Sequence, residues 1–291
     1  MTNSPTSSGF DAAKFKQTTE QQWQDAAQAW FEWTSTLDTW LGPATELMLD
    51  MAGISTGSRV LDVAAGCGGQ SVTAARRVGM DGRVLATDLS SRVLDYARQL
   101  AAEAGLGNLE TAVLDGENLA VPPASFDAAI SRVGMIYFPD QQKALRSIGQ
   151  ALRPGGRFAT IVYSTAENNR FFSDPVRIIR KAAQLPPPLP GQPGPFSLGG
   201  PGVLAGVLKQ AGFVEVTEQV VNAPLVLPSA DDCLRFEKES FGALHQMLTG
   251  LDDAQKEAAW QEVHIALREF ESGNGFSGPC ELVVAGGTWQ G

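Results

Sequence analysis

In the middle of this chain, acidic residues recur at or near the ends of short apolar runs, each beside a glycine-containing or helix-capping turn. The first run, VLDVAAGCGG (60–69), carries Asp62 just ahead of a turn containing Gly66, Gly68 and Gly69. Glycines there let the backbone approach a ligand closely, and the first amides of a following helix offer donors to an anion. Asp62 lies inside the run, where a carboxylate is costly without a cationic partner; a ligand ammonium group would supply one. The second run, ATDLS (86–90), reaches Asp88, 22 residues beyond Gly66. A carboxylate there can accept both hydroxyls of a ribose, or simply cap the next helix. The third, LDGENL (114–119), sets Asp115 and Glu117 around Gly116, an arrangement that reads an adenine edge or forms an ordinary acidic turn. A ligand containing adenosine satisfies all three. The dinucleotide pattern G-x-G-x-x-G is not met, because position 71 is Ser.

The elements that would hold these turns alternate. Strands are expected at 59–64, 83–87, 109–114, 126–131 and 157–163, with helices at 70–78, 90–104 and one marked by Ala144, Leu145, Ile148 and Leu152, the last broken by Pro154-Gly155-Gly156. Strands separated by helices imply βαβ units and a parallel sheet covered on both faces, with ligands at the carboxyl ends of its strands. Ahead of this block, a helix from Thr18 or Thr19 carries Trp23, Trp30, Phe31 and Trp33, and a short one runs from about Pro43 to Met51. Beyond it come a proline-rich loop (185–201), a helix at 201–211, a strand at 213–221, two helices within 229–272 and a last strand at 280–286.

Composition narrows the field. With 43% hydrophobic and 19% charged residues the chain can build a core. A net charge of −10 opposes nucleic-acid binding. No apolar run is long enough to span a bilayer, and the first residues, Ser/Thr/Asn-rich and expected to fray, lack the pattern of a secretion signal. Cys67, Cys233 and Cys280 are odd in number and widely spaced, which suits a reducing cytoplasm and gives no metal pattern.

Taken in order, VLDVAAGCGG (60–69), ATDLS (86–90), LDGENL (114–119), SFDAAISR (125–132) and LRPGGRF (152–158) resemble the class I S-adenosylmethionine-dependent methyltransferases, in the UbiE-like branch. The resemblance is strong over about 55–165 and weaker after it. It implies an α/β, Rossmann-like sheet of seven strands, mostly parallel with the last antiparallel, and helices on both faces. It also implies that Asp62, Ala64, Gly66 and Gly68 surround the methionine part of S-adenosylmethionine, or of its product S-adenosylhomocysteine. Asp88 would hold the ribose and Leu89 pack on adenine; Asp115, Gly116 and Glu117 would contact the adenine edge. Ser131 or Arg132 would offer a backbone carbonyl to the methionine ammonium. Ala64 stands where many members have Gly. The expected plan is a tail and helical lid (1–52), a cofactor-binding core (53–164), a segment completing core and substrate wall (165–222), a helical cap (223–278) and the last strand (279–291).

Methyl transfer by in-line displacement needs alignment more than acid–base help, since positioning alone recovers about 7–11 kcal/mol; no catalytic residue is obligatory. The weak candidates for a base are His245 and His264, each beside an apolar helical face and equally suited to packing. Trp30, Trp33, Tyr137, Tyr163 and Phe171 are candidates for a substrate wall, or for core. The Asn/Asp-Pro-Pro-aromatic turn of amino-methylating DNA enzymes is replaced by Ser131-Arg132-Val133-Gly134, and Pro279-Cys280 opens the last strand rather than following the fourth. The expected acceptor is therefore an O, N or C nucleophile on a small aromatic, quinone-like or natural-product molecule. A nucleotide-linked oxidoreductase and a catalytically silent cofactor-binding protein are the alternatives.

Overall fold

The computed structural model describes residues 10–189 and 192–291; most of the lead expected to fray lies outside them. Seven strands form one sheet: β1 (Arg59–Val63), β2 (Arg83–Asp88), β3 (Leu109–Val113), β4 (Phe126–Arg132), β5 (Leu152–Tyr163), β6 (Phe213–Asn222) and β10 (Glu281–Trp289), in the order β3-β2-β1-β4-β5-β10-β6. Pairings from β3 through β5 are parallel, and β10 runs antiparallel to both β5 and β6, as expected. The order reverses between β1 and β4, so the chain leaves these neighbours in opposite directions and a crevice opens at their carboxyl ends.

Helices α3 (Gly69–Val78), α4 (Ser91–Glu103) and α5 (Gln141–Ala151) form where the apolar spacing placed them. Ser90 caps α4, its Oγ accepting from the Val93 amide at 3.3 Å, and turns Val93, Leu94, Ala97 and Ala101 into the core. Gly79 and Gly105, both at positive φ, end α3 and follow α4.

The flanks depart from expectation. Helix α1 (Ala12–Glu32) begins at Asp11, whose Oδ1 accepts from the Lys14 amide at 3.0 Å, rather than at Thr18 or Thr19. Helix α2 (Thr34–Met51) carries Pro43 in its interior. The proline penalty of about 3 kcal/mol is outweighed because Leu37, Trp40, Leu41, Ala44, Met48 and Leu49 are buried along that helix. Strand β5 starts at Leu152 and carries Pro154-Gly155-Gly156 as an irregularity opposite Phe126 and Ala128. Helix α6 (Arg170–Ala182) forms in a segment for which no element was expected, ahead of the proline-rich loop, and α7 (Val203–Gln210) precedes β6.

Strand β7 (Leu225–Leu227), helices α8 (Ala230–Ser240), α9 (Gly242–Met247) and α10 (Asp253–Leu267), and strands β8 (Glu271–Ser272) and β9 (Gly275–Gly278) follow, three helices where two were expected, with a small β7-β9-β8 sheet. Helix α8 buries Ala230, Cys233, Phe236, Glu237 and Ser240. Among the described residues neither carboxyl oxygen of the fully buried Glu237 has a hydrogen-bond partner, and burial pushes this carboxyl well above the usual range.

That unpartnered acid costs stability. Glu237→Met is expected to raise the unfolding free energy by about 1–3 kcal/mol, read from denaturant titration at pH 7. Its raised native pKa makes the folded chain hold a proton that the unfolded chain loses near pH 4.3, so the native contribution declines as pH rises. The gap between variant and wild type should widen from about pH 4 upward; a pH-independent gap would contradict the burial argument.

Candidate active site

The crevice at the ends of β1 and β4 is the mouth of a cavity with about 1230 Å³ of empty space, its opening included. One wall is the turn from Ala64 to Gln70, with Asp88, Leu89, Leu114 and Gly116 next to it. The opposite wall is aromatic: Trp23 and Trp30 from α1, Trp40 from α2, Tyr137 after β4, Tyr163 at the end of β5, and Phe241 between α8 and α9.

The glycine turn is held from below. Asp88 Oδ2 accepts from the Gly66 amide at 3.0 Å and Oδ1 from the Ser90 amide at 3.0 Å. Burial raises this carboxyl's pKa, opposed by the amides of Ser90, Gly66 and Leu89. A side chain on Gly66 would meet no atom within 4 Å, so its backbone faces open space, whereas one on Gly68 would strike Ala97 at 2.7 Å. Ala64 and Val133 hold positive φ of 57° and 60° at the ends of β1 and β4, a conformation costly for a β-branched residue. A Cβ on Gly134 would stand 2.6 Å from that of Ala64, so the two strand ends pass each other only with glycine there.

Asp62 is fully buried beneath the turn and does not line the cavity. Ser71 Oγ donates to its Oδ2, and Oδ1 has no partner among the described residues. Burial pushes the Asp62 carboxyl up to about 7 against the opposing pull of Ser71. Arg132 lines the cavity with its side chain 10% exposed, its guanidinium 3.9 Å from Asp38 and 3.3 Å from Thr45 Oγ1. The Ser131 carbonyl accepts from Thr160 Oγ1 at 2.7 Å within the sheet.

Asp115 and Glu117 stand just outside the cavity wall. Lys16 of α1 reaches both, at 2.7 and 2.8 Å, and Glu117 also accepts from the Asp140 amide at 2.8 Å. The helix is thus tied across the ends of β3 and β4, with Trp23 packed edge-on against Tyr137 at 5.6 Å. On its other side Phe31 stacks on Tyr96 of α4 at 4.6 Å.

Of the residues singled out from sequence, Ala64, Gly66, Gly68, Asp88, Leu89, Gly116, Arg132, Trp30, Tyr137 and Tyr163 meet around one cavity. Trp33 does not line it; its Nε1 donates to Glu239 at 2.8 Å and Arg235 lies over its ring. Phe171 is fully buried behind Trp40 and Tyr163. His245 sits against Trp260 with Nε2 2.6 Å from the Lys238 carbonyl, and His264 pairs with Asp231 at 2.7 Å on the outer face. Sequence reasoning passed over Lys16, Trp40, Leu41, Phe138 and Phe241; the only available signal was Trp40 continuing the apolar spacing of α2.

A family model for a methyltransferase domain matches residues 60–156. Nocamycin O-methyltransferase of Saccharothrix syringae is 30% identical over 198 residues, 65% of this chain and 71% of that protein. The ubiquinone/menaquinone biosynthesis C-methyltransferase UbiE of Teredinibacter turnerae is 32% identical over 122 residues, 42% of this chain and about half (49%) of its own length. The solved YcgJ protein of Bacillus subtilis shares the fold with a TM-score of 0.58 at 18% identity, over 86% of this chain and 99% of that one. These likenesses lend nothing to the oxidoreductase alternative. The open backbone at Gly66, the carboxylate of Asp88 facing it and the unpartnered acid beneath suit an adenosine joined to an amino acid, and with the shared sequence they place this chain among the class I S-adenosylmethionine-dependent methyltransferases.

Proposed function

We propose that the acceptor is a small, largely apolar molecule with an aromatic, quinone-like or natural-product scaffold, methylated at an O, N or C nucleophile. The observation that carries this reading is the aromatic wall facing the glycine turn across one cavity. Such rings offer large flat apolar area and edge contacts to another ring. Nocamycin O-methyltransferase and UbiE are named for products of this general kind.

S-adenosylmethionine, when bound, supplies an electrophilic methyl group on a sulfonium centre. The chain's own part is to bind, align and exclude water. Asp88 would take the ribose hydroxyls, Leu89 and Leu114 would border the adenine, and the turn from Ala64 to Gly68 would approach the amino-acid end. Lys16, by tying α1 to Asp115 and Glu117, holds Trp23 and Trp30 over the cavity. Burial raises the Tyr137 hydroxyl to about 12 and the Tyr163 hydroxyl well beyond its ordinary value, so both stay protonated and orient an acceptor by donating hydrogen bonds. Cys67, in the turn itself, is pushed up to about 12 by burial and remains a thiol rather than a competing nucleophile. Neither histidine lines the cavity, so a proton leaving the acceptor would pass to Glu20 or to water.

Calorimetric titration with S-adenosylmethionine and S-adenosylhomocysteine, with NAD and NADP as controls, tests the cofactor side. Micromolar binding of the first pair alone is expected, followed by turnover of phenolic or quinone-like acceptors; binding without turnover of any acceptor would favour a silent binding protein. Asp88→Ala should weaken S-adenosylhomocysteine by more than about tenfold, given charge-assisted hydrogen bonds of about 1.5–3 kcal/mol, with the melting transition preserved. Unchanged affinity would remove the ribose assignment. Lys16→Ala should speed dissociation of S-adenosylhomocysteine several-fold, followed by tryptophan fluorescence in a stopped-flow instrument. An unaltered rate would mean that α1 does not retain the ligand.

A further inference from the structure

One buried acid, Glu237 of α8, neither aids the fold nor joins the cavity wall. It is fully buried, and neither of its carboxyl oxygens has a hydrogen-bond partner among the described residues. Ser240, three residues on, is also buried, and its Oγ is unpartnered in the same way. Residues three apart share a helix face, so two hydrogen-bonding groups stand side by side with nothing to bond. Burial raises the Glu237 pKa, and no neighbouring cation opposes it. Each unpaired group lowers stability, and local costs of this kind gather where a protein binds something.

The pair sits at the aromatic end of the cavity. Phe241, one turn beyond Glu237, donates its amide to the Glu237 carbonyl at 3.2 Å and lends its ring to the cavity wall. The Ser240 carbonyl accepts from Trp30 Nε1 at 2.9 Å, and Trp30 lines the same wall. Tyr163, another lining residue, is close enough for a charge on Glu237 to act on its hydroxyl. Neither Glu237 nor Ser240 is on the wall as it stands; the neighbouring ring there is that of Phe241, packed 4.4 Å from Phe172 and 5.5 Å from Phe236. Phe241 belongs to neither α8 nor α9, so its side chain can turn aside without unwinding a helix.

We propose that Glu237 and Ser240 form a polar subsite behind the aromatic wall that holds a neutral carbonyl oxygen of the acceptor, an inference that rests on the reading of the acceptor as a small apolar molecule. The subsite opens as Phe241 yields to the incoming scaffold. A neutral carboxyl and a hydroxyl each donate one hydrogen bond, and a carbonyl oxygen has two lone pairs to accept them. A cationic group fits less well, because it requires the ionised carboxyl and the burial of both charges. Holding the carbonyl on the wall opposite the glycine turn decides which way round the acceptor lies, and so which of its atoms faces the cofactor. The two residues thus set specificity without touching the reacting atoms.

The test uses the full chain with S-adenosylhomocysteine present and three probes on one bicyclic skeleton: 1-tetralone with a carbonyl, tetralin without it, and 1-aminotetralin with an amine in its place. By calorimetric titration, wild type should bind 1-tetralone about fivefold or more tighter than tetralin, as expected of one or two net hydrogen bonds. Glu237→Leu should abolish that preference while binding tetralin at least as tightly as wild type. Glu237→Gln, whose amide still donates, should keep the preference within about threefold, and Ser240→Ala should lose part of it. If Glu237→Leu fails to fold, a preference kept in Glu237→Gln and reduced in Ser240→Ala carries the test. Equal binding of 1-tetralone and tetralin by wild type, or an unchanged preference in Glu237→Leu, would overturn the subsite. Tighter binding of 1-aminotetralin than of 1-tetralone would overturn the carbonyl assignment. Failure of wild type to bind any of the three would instead overturn the apolar-acceptor reading itself.

Discussion

The hydrogen bond from the Gly66 amide to Asp88 Oδ2 joins the ends of β1 and β2, and the shape of the cavity depends on it. A parallel strand pair leaves its carboxyl ends free to diverge, since each chain departs into its own helix. Asp88 closes that gap with one carboxylate, taking the turn amide on one oxygen and the α4 amide of Ser90 on the other. The turn is thereby held open toward the cavity, and the backbone absorbs the strain. Ala64 and Val133 carry it as left-handed residues on the two strands that flank the crevice. Such strain persists where the surrounding structure over-determines it, and here the sheet pairings of β1 and β4 do so on both sides.

Onto this rigid floor the chain lays a cover made from segments distant in sequence. Helix α1 and the α8–α9 junction meet through Trp30, whose Nε1 donates to the Ser240 carbonyl at 2.9 Å and whose ring meets Phe241 at 5.5 Å. Phe236 bridges Trp30, Trp33 and Trp40. The aromatic wall is therefore also the contact surface between the amino-terminal helices and the helices inserted before β10. A change at Trp30, Trp40 or Phe241 therefore alters both the cavity and the seating of these helices.

The sheet and its turns were legible because periodicity and punctuation agree there. Gly79 and Gly105 mark helix ends, Ser90 a helix start, and apolar runs of five to seven residues mark strands in a parallel sheet covered on both faces. The same logic misread the flanks where two cues conflicted. Pro43 signalled a helix start but lies within α2, where burial of Trp40 and Leu41 prevails. Strands of two to four residues such as β7, β8 and β9 are too short to show a period. The site was legible as far as single motifs reach. Lys16 with Asp115 is a pairing across 99 residues, and no local pattern announces it. Nor does spacing distinguish Trp30, which faces the cavity, from Trp33, which faces Glu239 and Arg235.

An acidic chain that binds a cationic cofactor needs its positive charges rationed. With a net charge of −10, the long-range field favours a sulfonium over an anionic nucleotide, which agrees with the failure of the dinucleotide pattern at Ser71. Arg132 is the one cation on the described cavity wall not already neutralised at hydrogen-bond distance. Its burial keeps that charge from being screened by solvent, and Asp62 and Asp38 on either side keep it from being isolated. Asp62 tolerates the strand interior because Ser71 donates to it and Arg132 stands near enough to offset part of the burial cost. Charge placement at the ends of β1 and β4 thus lets the sheet bury an acid beneath the glycine turn.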